Sequence, residues 1–314
     1  PMHCPKCGFE QPAGAECVSC GIIFSKYEES QAFPPVVPPP RSRMALRTPD
    51  PDVVLDGRVG PKELKILGGG LLAAIVIYAI PFTRFVLSAM VTLFHELGHA
   101  VVGWLLGYPS LPAFDFVYGG GLTSYGQFHL SIVIAIGAGF AWLGWTFRHN
   151  TKTLLVLGGI FLLWLLVVSA GWRREMAMAG AGHAFEFILA GIFFYQALSG
   201  TGWRSPDLER PLGAFVAFFV QIHSMAFALR LRSDASFLDW YRGGKGGMLM
   251  NDLEQIALDL KIHTPLVHST IEGVAGALLV FSLLPIAIAL LWYFYRSRWH
   301  RLLGELLQTS PGTA

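Results

Sequence analysis

His95-Glu96-Leu97-Gly98-His99 sets two imidazoles four residues apart. On a helix that spacing puts both on one face, so His95 and His99 can hold one metal ion together. Glu96 lies beside them, where it could take a proton from a metal-bound water. The pentad sits inside an apolar run long enough to cross a bilayer. A carboxylate and two imidazoles at membrane depth are costly, which makes them functional candidates.

Catalytic zinc usually has three protein ligands plus water, so a third ligand must come from elsewhere in the chain. Asp252 is the first choice, in the segment Gly246-Gly247-Met248-Leu249-Met250-Asn251-Asp252-Leu253-Glu254. Glycines let backbones approach closely, and an aspartate at a helix start can point its carboxylate back into a site. The same residues also read as a plain helix cap, with Asn251 or Asp252 as cap and Glu254 completing a capping box. Asp239 is a rival ligand. His183 and Glu186 are three apart on a later apolar helix and share a face. They could be ligands, a proton path or a mutually satisfied pair. A supporting or pathway role is favoured, because one helix already supplies two histidines. Gln221 and His223 could line the same polar interior, or simply join helices by hydrogen bonds. His263 and His268 read as interfacial.

A second constellation stands at the N-terminus. Cys4, Cys7, Cys17 and Cys20 are the chain's 4 cysteines, in two C-x-x-C pairs each followed by glycine. That spacing suits tetrahedral zinc on four thiolates. Two disulfides or a redox pair are the alternatives. Thiolate ligands point to a reducing compartment and so to a cytoplasmic N-terminus.

The elements that must position these groups are apolar. Hydrophobic residues make up 53% of the 314, charged residues 14%, and the mean hydropathy is +0.50. A soluble chain of this size carries more charge. The net charge of +2 gives no support to nucleic-acid binding. The first 60 residues hold no signal-peptide core. The expected fold class is an all-α polytopic membrane protein, with about seven transmembrane helices and a small N-terminal zinc ribbon. Hydropathy places spans at 65–81, 84–107, 129–147, 153–171, 175–198, 211–230 and 270–295. The expected domains are a ribbon at 1–28, a proline-rich linker at 29–62, the membrane domain at 63–300 and a tail at 301–314.

Arg41, Arg43, Arg47, Arg58, Lys62 and Lys65 precede the first span and predict a cytoplasmic N-terminal side. Seven alternating spans would put Arg173, Arg174 and the charged 231–262 segment on that same side. They would put Arg296, Arg298 and Arg301 on the other, against the rule. Between the second and third spans, residues 108–128 alternate around Gly119-Gly120-Gly121. This predicts a short hairpin that could offer a strand edge to an extended peptide; an ordinary connecting loop is the alternative.

The run from His95 to Gly107, with glycine inside the pentad and Gly103 and Gly107 following in G-x-x-x-G spacing, resembles the active-site helix of the site-2 protease family. These are intramembrane zinc metalloproteases of the M50 type. The resemblance implies zinc on His95, His99 and a distant aspartate, Glu96 as general base, and a glycine-bearing hairpin after the helix. It covers the second span well and the rest loosely. The usual N-P-D-G or L-D-G motif is missing; Asn251-Asp252 resembles a variant of it. The N-terminal module resembles short bacterial zinc ribbons that serve contacts or regulation.

The resulting expectation is an intramembrane zinc endopeptidase of the bacterial inner membrane. It would cleave transmembrane segments of other proteins with one catalytic and one structural Zn2+, and its ribbon would contact a cytoplasmic protein. A non-enzymatic adaptor with a structural zinc and a metal or proton transporter are the rival classes.

Overall fold

A computed structural model describes residues 1–27, 58–115, 120–243, 250–264 and 269–308. Most of the linker, Gly119, residues 246–249, His268 and the end of the tail lie outside the described residues. The chain divides into two units, Pro1–Val54 and Leu55–Ala314.

The first unit carries a two-stranded antiparallel ribbon, β1 (Met2–His3) against β2 (Glu10–Gln11). Two turns repeat one pattern. The N–H of Gly8 donates to the carbonyl of Cys4 at 2.9 Å, and that of Gly21 to Cys17 at 2.8 Å. Gly8 and Gly21 have φ of +74° and +70°, left-handed backbone that favours glycine. Each turn thereby folds its second cysteine back over its first.

The second unit is a helical bundle with one hairpin. Its elements are α1 (Pro61–Ala79), α2 (Pro81–Leu105), β3 (Ser110–Asp115), β4 (Gly120–Tyr125), α3 (Leu130–Thr146), α4 (Thr151–Val168), α5 (Gly171–Ser199), α6 (Pro206–Ser233), α7 (Ala235–Gly243), α8 (Asp252–His263), α9 (Ile271–Phe294) and α10 (Arg296–Leu306). Proline opens α1, α2 and α6, where its missing N–H is not needed. Asn150 caps α4 and Thr270 caps α9 with their side-chain oxygens. β3 and β4 pair antiparallel from Ser110↔Tyr125 to Asp115↔Gly120.

Each of the seven expected spans falls on a helix. Five of these, α2, α4, α5, α6 and α9, are long and apolar enough to cross a membrane. α3 is shorter, at 17 residues, and α1 carries Lys62, Glu63 and Lys65 in its first turns. α3 buries none of its side chains although nearly all are apolar, the pattern of a helix whose outer face meets lipid. The core lies between α1, α2, α5 and α6, where Ala74, Val91, Ala190, Phe219 and Val220 are buried together. A second core holds α7 and α8 against α6 and α9 through Leu231, Tyr241, Leu253 and Ala275.

Strict alternation of seven spans would make the first and sixth antiparallel. The structure corrects this. Lys62 lies 3.4 Å from Asp207, Arg210 lies 3.1 Å from Glu63, and the rings of Tyr78 and His223 meet at 6.1 Å. α1 and α6 therefore run parallel. The start of α1 and the 231–262 segment lie toward opposite ends of this pair, not on one side. A side chain on Gly70 would collide with Ala214, so the small residue is what lets α1 and α6 approach.

Candidate metal centre

α2 and α5 cross at glycines. A Cβ on Gly98 would strike the backbone of Ala181 and the side chain of Phe185, and a Cβ on Gly182 would strike the ring of His95. The close crossing sets His95 and His99 directly against α5. His99 is buried, and its Nδ1 lies 2.7 Å from the carbonyl oxygen of Met178. A carbonyl only accepts, so Nδ1 carries a proton and Nε2 is the atom turned inward. His95 places Nδ1 2.6 Å from Oε1 of Glu186.

Both Nε2 atoms meet one oxygen. Oδ2 of Asp252 lies 2.8 Å from Nε2 of His95 and 3.2 Å from Nε2 of His99. Asp252 opens α8, and three contacts fix that helix start. The backbone N–H of Asn251 donates to Oε2 of Glu254 at 3.0 Å. The amide of Asn251 donates to the carbonyl of Tyr241. The hydroxyl of Tyr241 accepts the N–H of Leu253 at 3.2 Å. The capping alternative and the inward-pointing carboxylate are thus compatible: Asn251 and Glu254 shape the start of the helix, and Asp252 faces the histidines.

With Nδ1 of each ring held by an acceptor, both Nε2 atoms and Oδ2 of Asp252 converge, and a metal ion among them would satisfy all three. This donor set fits a metal ion. So do two groups that share His95 with it, His95 with Glu96 and His99, and His95 with His183 and Glu186.

Glu96 is buried beside the pair, with its Oε2 accepting from Oγ1 of Thr123 at 2.6 Å. Thr123 stands on β4, so the hairpin after α2 grips the glutamate. Gly121 on the same strand packs on the Glu96 side chain so closely that a Cβ there would overlap it. Gly120 and Gly121 line a cavity of about 550 Å³ together with His95, Glu96 and Asp252.

Behind His95, Glu186 is buried at 3% exposure. Its Oε2 accepts from the hydroxyl of Ser224, and its Oε1 lies 3.3 Å from Nδ1 of His183. The His183 ring meets that of His95 edge-on at 4.6 Å. His223 packs between Tyr78 and Phe219. Its buried Nδ1 and both polar atoms of Gln221 have no hydrogen-bond partner among the described residues. Asp239 is not brought to the centre; it lies 3.8 Å from Arg242 at the surface. His263 stacks on Trp172 at 4.6 Å.

Outside the spanning helices, two phenols near the centre are raised above their ordinary range. Burial raises Tyr241, helped by the charge of Asp252. Burial raises Tyr125, helped by Asp252 and Glu96. Both stay protonated at neutral pH.

Thr123, Ser224 and the Met178 carbonyl carry no signature in the sequence. Each acts through one hydrogen bond, and hydroxyls and carbonyls are everywhere in a chain. The small-residue run from Ala177 to Ala184 was a usable signal for the close crossing.

In the N-terminal unit the four sulfurs of Cys4, Cys7, Cys17 and Cys20 lie within 4.8 Å of one another. Sγ of Cys4 is 3.7 Å from that of Cys20, and Sγ of Cys7 is 3.8 Å from that of Cys17. All four cysteines are free thiols, with no disulfide among them. Sulfurs at the corners of a tetrahedron around an ion, each about 2.3 Å from it, stand about 3.8 Å apart. Desolvation opposes ionisation of Cys4, yet the N–H groups of Cys7 and Lys6 draw its pKa down to about 6. Desolvation pushes Cys20 up to about 12.

No known protein family, no curated protein and no solved structure matches this chain.

Proposed function

We propose that this protein is an intramembrane zinc endopeptidase that cleaves transmembrane segments of other proteins. The observation that carries the reading is the meeting of His95, His99 and Asp252 on one point, with Glu96 beside them and a cavity open to all but the deepest. Zinc bound there supplies a Lewis acid that polarises a peptide carbonyl and brings the pKa of water toward neutrality.

The chain's own groups do the rest. Glu96 accepts the proton of the attacking water and passes it to the departing amine. Thr123 holds Oε2 of Glu96, which leaves Oε1 to work. Glu186 and the Met178 carbonyl fix the two imidazoles with Nδ1 protonated, so that both Nε2 atoms remain free to ligate. The hairpin stands at the cavity wall, where β4 can pair with an unwound substrate segment through its free edge. Only an extended chain exposes its amides to attack.

The open cavity favours a peptidase over an adaptor, because a structural ion is closed off by its ligands. The thiolate cluster reads as a second, structural zinc site in a cytoplasmic ribbon that contacts a partner protein. The inner membrane of a bacterium is the setting this reading implies.

Metal analysis of the full chain tests it. The parent is expected to hold two zinc ions, Asp252→Ala one, and Glu96→Gln two with no cleavage of a membrane substrate. Two ions in Asp252→Ala would move the third ligand to His183 or Glu186. Full cleavage by Glu96→Gln would end the peptidase reading.

A further inference from the structure

A second cleft, of about 460 Å³, adjoins the metal centre. Arg84, in the first turns of α2, and Arg230, near the end of α6, both line it. The guanidinium of Arg84 lies over the ring of Tyr78 at 5.3 Å, and that of Arg230 over Phe237 at 4.0 Å. Each guanidinium thus sits against an aromatic wall of the cleft, a contact that does not use up its N–H donors. Neither arginine has a carboxylate within ion-pair distance among the described residues. Two cations facing one aromatic cleft repel each other, and an anion between them relieves this. A guanidinium fork matches carboxylate or phosphate oxygens.

The position of the cleft says which anion. His223, Phe227 and Trp240 line both this cleft and the cavity that holds His95, Glu96 and Asp252. The two spaces therefore lie side by side and share a wall. Arg84 and His95 are eleven residues apart on one helix, about 16 Å along its axis. An extended peptide covers that distance in about five residues.

We propose that the Arg84–Arg230 cleft is a specificity subsite for an acidic side chain of the bound peptide, about five residues from the bond presented to Glu96. The inference rests on the peptidase reading. It adds a feature of the substrate that the metal centre cannot select. A membrane phosphate would use the same chemistry, but it has no need of a cleft walled by residues of the metal-centre cavity.

The test is a binding measurement that needs no turnover. Fluorescein-labelled twelve-residue peptides of alanine, valine and serine would carry one Asp, or one Asn, at each position in turn. Fluorescence anisotropy would be read on the full-length Glu96→Gln chain in detergent micelles, with zinc content measured on the same sample. The Asp peptide is expected to bind at least about tenfold tighter than its Asn twin at one or two neighbouring positions. In Arg84→Gln/Arg230→Gln that preference should vanish while zinc content and the Asn affinity stay unchanged. Equal affinity of Asp and Asn peptides, no binding of either, or a preference that survives the double variant would overturn the proposal. So would a tight phosphatidylglycerol site in mixed micelles that needs both arginines but leaves the peptides undiscriminated. A discriminating chain that lacks the second zinc would instead sink the peptidase reading and leave the cleft standing.

Discussion

Glu186 touches His95, His183 and Ser224 from a fully enclosed position, and its partner atom on His95 is the nitrogen that does not face Asp252. A carboxylate in that place sets the tautomer and the ring angle of a ligand. Glu186→Gln keeps the shape but loses the charge, and is expected to weaken zinc at the centre by about 10–100-fold in chelator competition, with the ribbon site unaffected. Unchanged affinity would mean that packing alone orients His95. Thr123→Val removes the hydroxyl that holds Glu96. It should lower turnover about tenfold at full zinc occupancy, which separates it from a ligand variant. Both residues differ in legibility. Glu186 stood out because an acid three residues from a histidine on an apolar helix has few bland explanations. Thr123 did not, because a threonine in an alternating segment is ordinary strand material.

At the scale of elements, the centre depends on how near two helices come. Gly98 and Gly182 face each other's helices where any side chain would collide. Gly182→Ala is expected to push the His95 ring aside and cost about 1–3 kcal/mol. The readout is thermal unfolding in detergent, with the loss of zinc from the centre exceeding what the stability change alone explains. Helix positions were legible in the sequence to within a few residues, since hydropathy reports length directly. The hairpin was legible from glycines between alternating runs. The grip of β4 on Glu96 was not, because register across a helix and a strand is fixed by tertiary contact. Asp252 could be named because a carboxylate follows a glycine-rich stretch at a helix start; its distance to His95 depends on the packing of α8 under α6 and α9.

For the molecule as a whole, the buried Arg210 ties the start of α6 to α1. It donates to the carbonyls of Ala197 and Leu198 and to Glu63. The carboxyl of Glu63 sits below its ordinary 4.5, held there first by its own backbone N–H and then by Arg210, against the cost of burial. A group lowered in the folded state adds stability above its unfolded pKa and loses it as the pH falls through its folded one. Acidification below about 4.5 should therefore loosen α1 from α6. A Glu63→Gln chain should show a flatter pH profile of unfolding in that range. Hydropathy could not reveal that α1 and α6 run side by side in one direction, since it measures how long a span is and says nothing of its neighbour.

That parallel pairing has a consequence in time. α1 ends at residue 79 and α6 at 233, so a ribosome adding 5–20 residues per second needs roughly 8–30 s to deliver the second after the first. Through that interval the groove at Gly70 has no Ala214 to fill it. The nascent chain must keep α1 waiting, shielded by lipid or by an insertion factor, until its partner arrives.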